Sequence, residues 1–378
     1  MTRREILKVM TVFGTRPEAI KMAPVVRALE ARPDRVESVV SVTAQHRGML
    51  DQILSAFGVV PRHDLDLMTH DQSPAALAGR VLEGMSRVLE AERPDWVLVQ
   101  GDTTTTAAAA LGAFYLGMRV GHVEAGLRTF DRLRPFPEEI NRRVTSVVAD
   151  LHFAPTDRAR RNLLAEGIEE DRVLTTGNTV VDALRIASGM PFDPAGTPLA
   201  GLPADRRVVL LTAHRRENFG EPLRRIFEAV RRIAEEWPRD VHFVIPVHPN
   251  PSVRSVAHEM LGTLAEATLT EPLDYLALVH VMKRASLILT DSGGIQEEAP
   301  YLGVPTLVLR EKTERPEALE SGTVRLVGTG TEKIRNAASD VLRDASLRET
   351  MARKSSPYGD GYAAQRIVEA LLGSGARR

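Results

Sequence analysis

Residues 96–123, WVLVQGDTTTTAAAALGAFYLGMRVGHV, decide how this chain folds. An apolar run of strand length, Trp96 to Gln100, meets Gly101 and Asp102. A helical stretch from Thr104 to Tyr115 follows, and a second strand-like run, Arg119 to Val123, closes the unit. Strand, helix and strand at these lengths make a βαβ unit, whose strands are parallel. The uncharged run from Thr103 to Met118 is too short and too rich in threonine to span a bilayer, so it reads as a buried helix.

The alternation extends in both directions. Upstream, strand Ile6 to Phe13 ends at Gly14-Thr15-Arg16-Pro17. Pro17 suits the first helical position, where its missing N–H costs nothing. The helix then runs to Ala31, carrying Ile20, Ala23, Pro24 and Leu29. Strand Val36 to Val42 and helices over Gly48 to Phe57 and Ala75 to Glu90 lead into the central unit. Between Ser188 and Pro203 the pattern stops, and four prolines with three glycines mark a linker. It restarts with strand Val208 to Thr212, helix Pro222 to Glu236 and strand Val241 to Ile245. Strand Leu287 to Thr290 and a helix opening at Gly293 come later. The tail from Ala363 to Leu372 is helical.

The expected fold is α/β, two doubly wound Rossmann-like domains facing a central cleft at the carboxyl ends of their strands. Residues 1–188 form the first, with a terminal helix over 360–378 returning to it, and residues 189–359 form the second. A chain of 378 residues is long enough for two cores, and its 43% apolar content is ordinary for a globular protein. With 49 basic and 50 acidic residues, the balance argues against nucleic-acid or membrane partners, which select a basic excess. No cysteine is present, which excludes disulfides, thiolate nucleophiles and cysteine zinc sites. Lys8, Arg16 and Glu18 break any secretory core after Met-Thr-Arg-Arg, so a cytoplasmic location is expected.

Polar clusters fall at strand ends, where such folds keep their ligands. Asp102 and Glu124 follow two strands of the first half; His214, Arg215 and Arg216 follow one of the second. Asp291-Ser292-Gly293-Gly294 follows another, and its glycines open a helix whose N-terminus suits an anion. Glu297 and Glu298 lie on that helix, placed for a ribose diol. A helix cap with two solvated glutamates explains the same residues. Arg16, His214 and Arg315 supply charge for a diphosphate, or serve in surface ion pairs. Asp102 equally suits a cap on the helix from Thr103. Glu138 and Glu139 follow Pro137 in a first helical turn, which favours carboxylates in any case. Glu124 has no evident capping role.

Gly14-Thr15-Arg16-Pro17 lacks the later glycines of a dinucleotide fingerprint, Gly328-Thr329-Gly330 precedes no matching turn, and no Walker lysine motif occurs. No bound cofactor is expected. His122, His214 and His248 have no helical ligand spacing, so no metal is expected either. His152, His242 and His280 sit in apolar contexts and read as packing residues.

Longer strings identify a family. GTRPEAIKMAPVV from Gly14, TAQHRGMLDQ from Thr43, GDTTTTAAAAL from Gly101 and GHVEAGLRTFDRLRPFPEEINRR from Gly121 resemble the non-hydrolysing UDP-N-acetylglucosamine 2-epimerases. GNTVVDAL from Gly177, TAHRREN from Thr212, PVHPNP from Pro246, LTDSGGIQEEAPYLGVP from Leu289 and TERPEALESGTVRLVGT from Thr313 continue the likeness. It runs to PYGDGYAAQRI at Pro357.

The resemblance implies the fold of the B-type glycosyltransferases, GT-B, and interconversion of UDP-N-acetylglucosamine and UDP-N-acetylmannosamine, with UDP as the group released and re-added. It makes Asp102, Glu124 and Glu138 the acid/base carboxylates, with His214, Arg16 and Lys21 around diphosphate and sugar. Arg142 and Arg315 support the cleft, Ser292, Gly293 and Gly294 hold phosphate oxygens, and Glu298 binds the ribose. Leu278 stands where family members often stack an aromatic ring on uracil. A second, activating UDP-N-acetylglucosamine site would use Gln45, His46, Gln72, Arg215 and His248, although Asp71 replaces an expected basic residue. A homodimer is implied by the resemblance alone. Hydrolysing epimerases, GT-B transferases and non-catalytic sugar-nucleotide sensors are the competing readings.

Overall fold

The computed structural model describes residues 6–43, 47–67, 72–313, 315–353, 355 and 357–374. They divide into two compact units. Unit 1 ends at Ile186 and resumes at Tyr358; unit 2 spans Ala187–Pro357.

Unit 1 alternates β1 (Leu7–Phe13), α1 (Arg16–Glu30), β2 (Val36–Val42), α2 (Arg47–Phe57), β3 (His63–Asp64) and α3 (Pro74–Glu92). It continues through β4 (Trp96–Gln100), α4 (Thr104–Tyr115), β5 (Arg119–Val123), α5 (Glu138–Val148), β6 (Leu151–Ala154), α6 (Asp157–Ala165), β7 (Val173–Thr175) and α7 (Thr179–Gly189). Unit 2 has β8 (Arg207–Thr212), α8 (Glu221–Glu236), β9 (Val241–Pro246), α9 (Pro251–Leu261), β10 (Ala267–Thr270), α10 (Tyr275–Arg284) and β11 (Ala285–Thr290). Then come α11 (Gly293–Leu302), β12 (Thr306–Val308), α12 (Pro316–Glu320), β13 (Val324–Leu326), α13 (Thr331–Arg343) and α14 (Ala345–Met351). Helix α15 (Ala363–Gly373) belongs to unit 1.

The sheets run β3-β2-β1-β4-β5-β6-β7 and β10-β9-β8-β11-β12-β13, with every described pair parallel. Each is doubly wound, as expected. Strand order reverses between β1 and β4 in unit 1 and between β8 and β11 in unit 2, and loops at such switch points diverge to leave a crevice. Central strands are buried on both faces, which is why β4 and β8 read as unbroken apolar runs rather than alternating ones.

Local chemistry sets the helix starts. Thr15 accepts from the Glu18 N–H while Glu18 reaches back to the Thr15 N–H, a complete capping box. Arg16 is therefore the first residue of α1 and Pro17 the second, one place later than the sequence implied. Thr103 caps α4 by accepting from Thr106 N at 3.1 Å, which corrects the alternative of Asp102 as cap. Helix α8 shows the amphipathic form: Leu223, Ile226, Phe227, Val230 and Ile233 are buried at helical spacing beneath β8 and β9. The terminal α15 is tied to unit 1 by Asp182, whose carboxylate accepts from Ala363 N at 3.1 Å and Ala364 N at 2.8 Å. Among the described residues no helix is long and apolar enough to cross a membrane.

Candidate active site

In unit 1 the register pairs Gln100 with Val123, so the loops after β4 and β5 leave the sheet at one level. Gly101 turns with φ +74° and Glu124 with φ +62°. For a residue with a Cβ that conformation costs roughly 1–2 kcal/mol, so the surroundings must impose it. The Glu124 side chain is correspondingly fixed. Lys21 pairs with Oε2, and Asn178 Nδ2 donates to the same oxygen at 2.9 Å. His122, two residues earlier on β5, is fully buried and bonds Gly101 O through Nε2 at 2.8 Å. Burial pushes its pKa down to about 4, so it is neutral and serves to hold the turn.

Asp102 pairs with Arg142 of α5, which also lies 3.4 Å from Glu139. Glu139, almost wholly buried, accepts from the N–H groups of Thr129 and Phe130 and anchors the loop before α5. Glu138 stands one helical turn before Arg142 and so shares its face. Its Oε2 is buried with no hydrogen-bond partner among the described residues. The fold thus pairs Asp102 with Arg142 and Glu124 with Lys21, and sets Glu138 on the helix that carries Arg142. Arg16 opens α1 at the same end of the sheet and is partly exposed.

Glu18 is a residue the sequence reading missed. It is buried and accepts from Gly14 N (3.1 Å), Thr15 N (2.7 Å), Thr103 Oγ1 (2.7 Å) and Thr106 Oγ1 (3.1 Å). Burial raises its pKa, opposed by these donors. It staples the loop after β1 to the loop after β4. Gly14 suits the close approach there, because a Cβ would fall 2.1 Å from Thr43 Oγ1 and 3.1 Å from Thr105 Oγ1, and these hydroxyls would have to move.

In unit 2 the corresponding staple is Asp291, fully buried. It accepts from His214 N at 3.0 and 3.1 Å, Arg215 N at 2.9 Å and Asn218 Nδ2 at 2.9 Å. The cap reading of this segment therefore fails. Ser292 occupies the cap position without a side-chain bond, and Glu297 and Glu298 are buried rather than solvated. Glu297 pairs with Arg315, and Tyr275 OH donates to Glu298 Oε1 at 3.2 Å.

Two guanidinium groups flank the start of α11. A Cβ on Gly293 would lie 3.3 Å from Arg215 Nη2 and 3.9 Å from Arg315 Nη2. Arg215 Nε is buried with no partner among the described residues. Gly293 and Gly294 provide the first free backbone N–H groups of the helix, while the Ser292 N–H donates to Thr290 Oγ1 at 2.9 Å; a helix start of this kind suits an anion. Gln296 and Thr313 brace it, with Thr313 Oγ1 2.6 Å from Gln296 Oε1. His214 stacks on His248 with ring centres 5.7 Å apart. Burial lowers the His214 pKa; Asp291 opposes this, while Arg215 and His248 add to it. Leu278, on α10, is half-buried against the core around Ile295 and Ala299.

Gln45 and His46 lie outside the described residues, and Gln72 directly precedes the Ser73 cap of α3. His152 and His242 are buried and His280 packs on Phe192 with ring centres 4.6 Å apart.

Comparison with known proteins shows the family. The family model for UDP-N-acetylglucosamine 2-epimerase matches residues 27–372. The chain belongs to the UDP-N-acetylglucosamine 2-epimerase family. It is 50% identical over 366 residues to the UDP-N-acetylglucosamine 2-epimerase of Bacillus subtilis (strain 168), covering 97% of this chain and 95% of that one. Its fold is similar to the Neisseria meningitidis UDP-GlcNAc 2-epimerase bound to UDP-GlcNAc, with a TM-score of 0.88 and 46% identity over 97% of this chain and 100% of that one. The Methanocaldococcus jannaschii UDP-GlcNAc 2-epimerase in complex with UDP-GlcNAc and UDP follows at 0.78 and 36%, with the same coverage of both chains.

Proposed function

We propose that this chain interconverts UDP-N-acetylglucosamine and UDP-N-acetylmannosamine without net hydrolysis. The observation that carries the reading is Glu124, held in a left-handed conformation by Lys21 and Asn178 beside the Asp102–Arg142 pair. The C2–H of the sugar has no adjacent carbonyl, so a carboxylate cannot remove its proton directly. Anti elimination solves this. The C1–O bond breaks, UDP leaves with the electron pair, and the C2 proton passes to a carboxylate as the C1–C2 double bond of 2-acetamidoglucal forms. Protonation of C2 from the opposite face and return of UDP to C1 complete the inversion.

Asp102, Glu124 and Glu138 are the acid/base candidates. The helix α11 cradle with Arg215 and Arg315 supports a diphosphate-binding role for unit 2, with His214 beside the diphosphate and Glu298 on the ribose. Arg16 and Lys21 are the candidate cations of unit 1 for diphosphate and sugar, and Leu278 is the candidate of unit 2 for the uracil. The chemistry needs no redox cofactor. The strings shared with the non-hydrolysing class support product retention as the UDP-sugar. The homodimer, the cytoplasmic location and the activating UDP-N-acetylglucosamine site are parts of the same proposal.

The test is incubation with UDP-N-acetylglucosamine in D2O, followed by proton NMR. Both UDP-sugar epimers are expected, with deuterium entering C2 of each. Free N-acetylmannosamine with UDP would show a hydrolysing enzyme instead. An unchanged substrate would sink the epimerase reading and favour a transferase.

A further inference from the structure

Asn178 lies at the end of the loop between β7 and α7, 2% exposed, and three of its groups are already committed. Its N–H donates to Tyr358 O at 2.6 Å. Its Oδ1 accepts from Val180 N at 3.1 Å, and its Nδ2 donates to Glu124 Oε2 at 2.9 Å. Because Oδ1 serves a backbone N–H, the amide can present only its NH2 to Glu124. The backbone is pinned as well: a Cβ on Gly177 would stand 3.1 Å from Gly359 Cα, so the two glycine segments lie in contact. Asn178 therefore cannot turn its side chain or withdraw without breaking the start of α7.

The oxygen it grips is the one that also receives the Lys21 ammonium. Two donors on one carboxylate oxygen fix the plane of the group, and hydrogen bonds to the charged form favour that form. Glu124 needs this help because its own backbone is strained. We propose that Asn178 is a positioning residue for the epimerisation, anchoring Glu124 Oε2 with Lys21 so that the carboxylate is held charged and correctly aimed at the sugar. This inference rests on the epimerase reading above.

The discriminating variant is Asn178→Asp. It keeps an acceptor for Val180 N but replaces the donor to Glu124 with a second carboxylate oxygen. Loss of a charge-assisted bond is worth roughly tenfold to a hundredfold, so kcat should fall by that factor while KM stays within about threefold. The limb of the pH–rate profile that reports Glu124 should move up by about one unit, since a like charge disfavours the carboxylate. Asn178→Ser keeps a cap hydroxyl for Val180 N and should show a smaller upward shift, giving the same reading should Asn178→Asp fold poorly. Affinity for UDP, measured calorimetrically, should be unchanged in both.

Variants with wild-type kcat and pH profile would overturn the proposal. So would lost activity with a lower Tm and an unmoved pH profile, which is the mark of a purely structural asparagine. Deuterium exchange by the wild type separates the two levels. Its absence sinks the epimerase reading and this inference together, whereas its presence with unaffected variants removes Asn178 alone.

Discussion

In unit 1 the loops at the switch point are joined by Glu18, which sits on the helix after β1 and accepts from Thr103 and Thr106 after β4. In unit 2 they are joined by Asp291, which follows β11 and accepts from His214 and Arg215 after β8. Both carboxylates are buried, and both bridge the two strands where the order reverses. The donors differ in kind. Glu18 takes two side-chain hydroxyls from the opposite loop, and these can rotate and reverse roles. Asp291 takes the backbone N–H groups of His214 and Arg215, which cannot, together with the Asn218 side-chain amide. Spending the backbone of His214 and Arg215 on Asp291 fixes the path of that loop beside the α11 N-terminus. On the proposed function, unit 1 uses its strained turn and its carboxylates for proton transfer. One topology thus closes its two switch points with different donors, and the proposed function assigns the two units different chemistry.

The largest effect should come from Asp291→Ala. It strands the N–H groups of His214 and Arg215, with a destabilisation on the order of 3 kcal/mol. The loop carrying both side chains would then lose its path, so UDP affinity should drop by about a hundredfold or more, read by calorimetric titration alongside urea melts. A variant that bound UDP as the wild type does would break the assignment of unit 2 as the anion holder.

Glu18→Gln sharpens the same contrast at smaller scale. The amide oxygen can face Gly14 N and Thr15 N, and the new NH2 can face Thr103 and Thr106, whose hydroxyls turn to accept. We expect a stability loss of about 1 kcal/mol and a fall in kcat of less than about tenfold, with UDP affinity unaffected. Equal damage from Glu18→Gln and Asp291→Ala would show that donor type does not distinguish the two staples.

The sequence was most legible where a signal is local. Strands β4 and β5 and helix α4 match the bounds read from sequence, because an apolar run ends at Gly101 and a helical stretch follows, although its cap is Thr103 rather than Asp102. Asp102 and Glu124 stood out because they directly follow such runs. Strands β3, β12 and β13, two or three residues long, carry no readable period. Partners distant in the chain were equally opaque. Asn178 meets Glu124 across 54 residues and Thr106 meets Glu18 across 88, and nothing local in either segment announces it. Glu18 did carry a weak signal, since Thr15 followed by a glutamate three residues later is a capping box. Tyr275 became a site candidate only once α10 was placed beside α11, and Arg215, read from sequence as a strand-end cation of an activating site, stands at the start of α11.

The smallest expected effect lies at the other end of unit 1, away from the switch point. There Glu92, at the end of α3, receives Lys8 at 2.5 Å, His63 at 2.7 Å and Arg62 at 3.3 Å. The hydrogen bond from Lys8, with those from His63 and the nearby charges, lowers its pKa from 4.5 to about 2 against the opposing effect of burial. A carboxylate with a depressed folded pKa adds stability that is complete above its unfolded pKa. That stability is lost as the pH falls, here between about 4.5 and about 2. Because the network is solvent-screened, Glu92→Gln should cost less than about 1 kcal/mol at neutral pH, and the gap from wild type should close across that acid window. Activity at neutral pH should not change, since proton transfer and UDP binding are both assigned to the carboxyl ends of the strands. A loss of kcat in this variant would mean that the amino end of the sheet also governs the switch point, and the division between the two ends of unit 1 would fail.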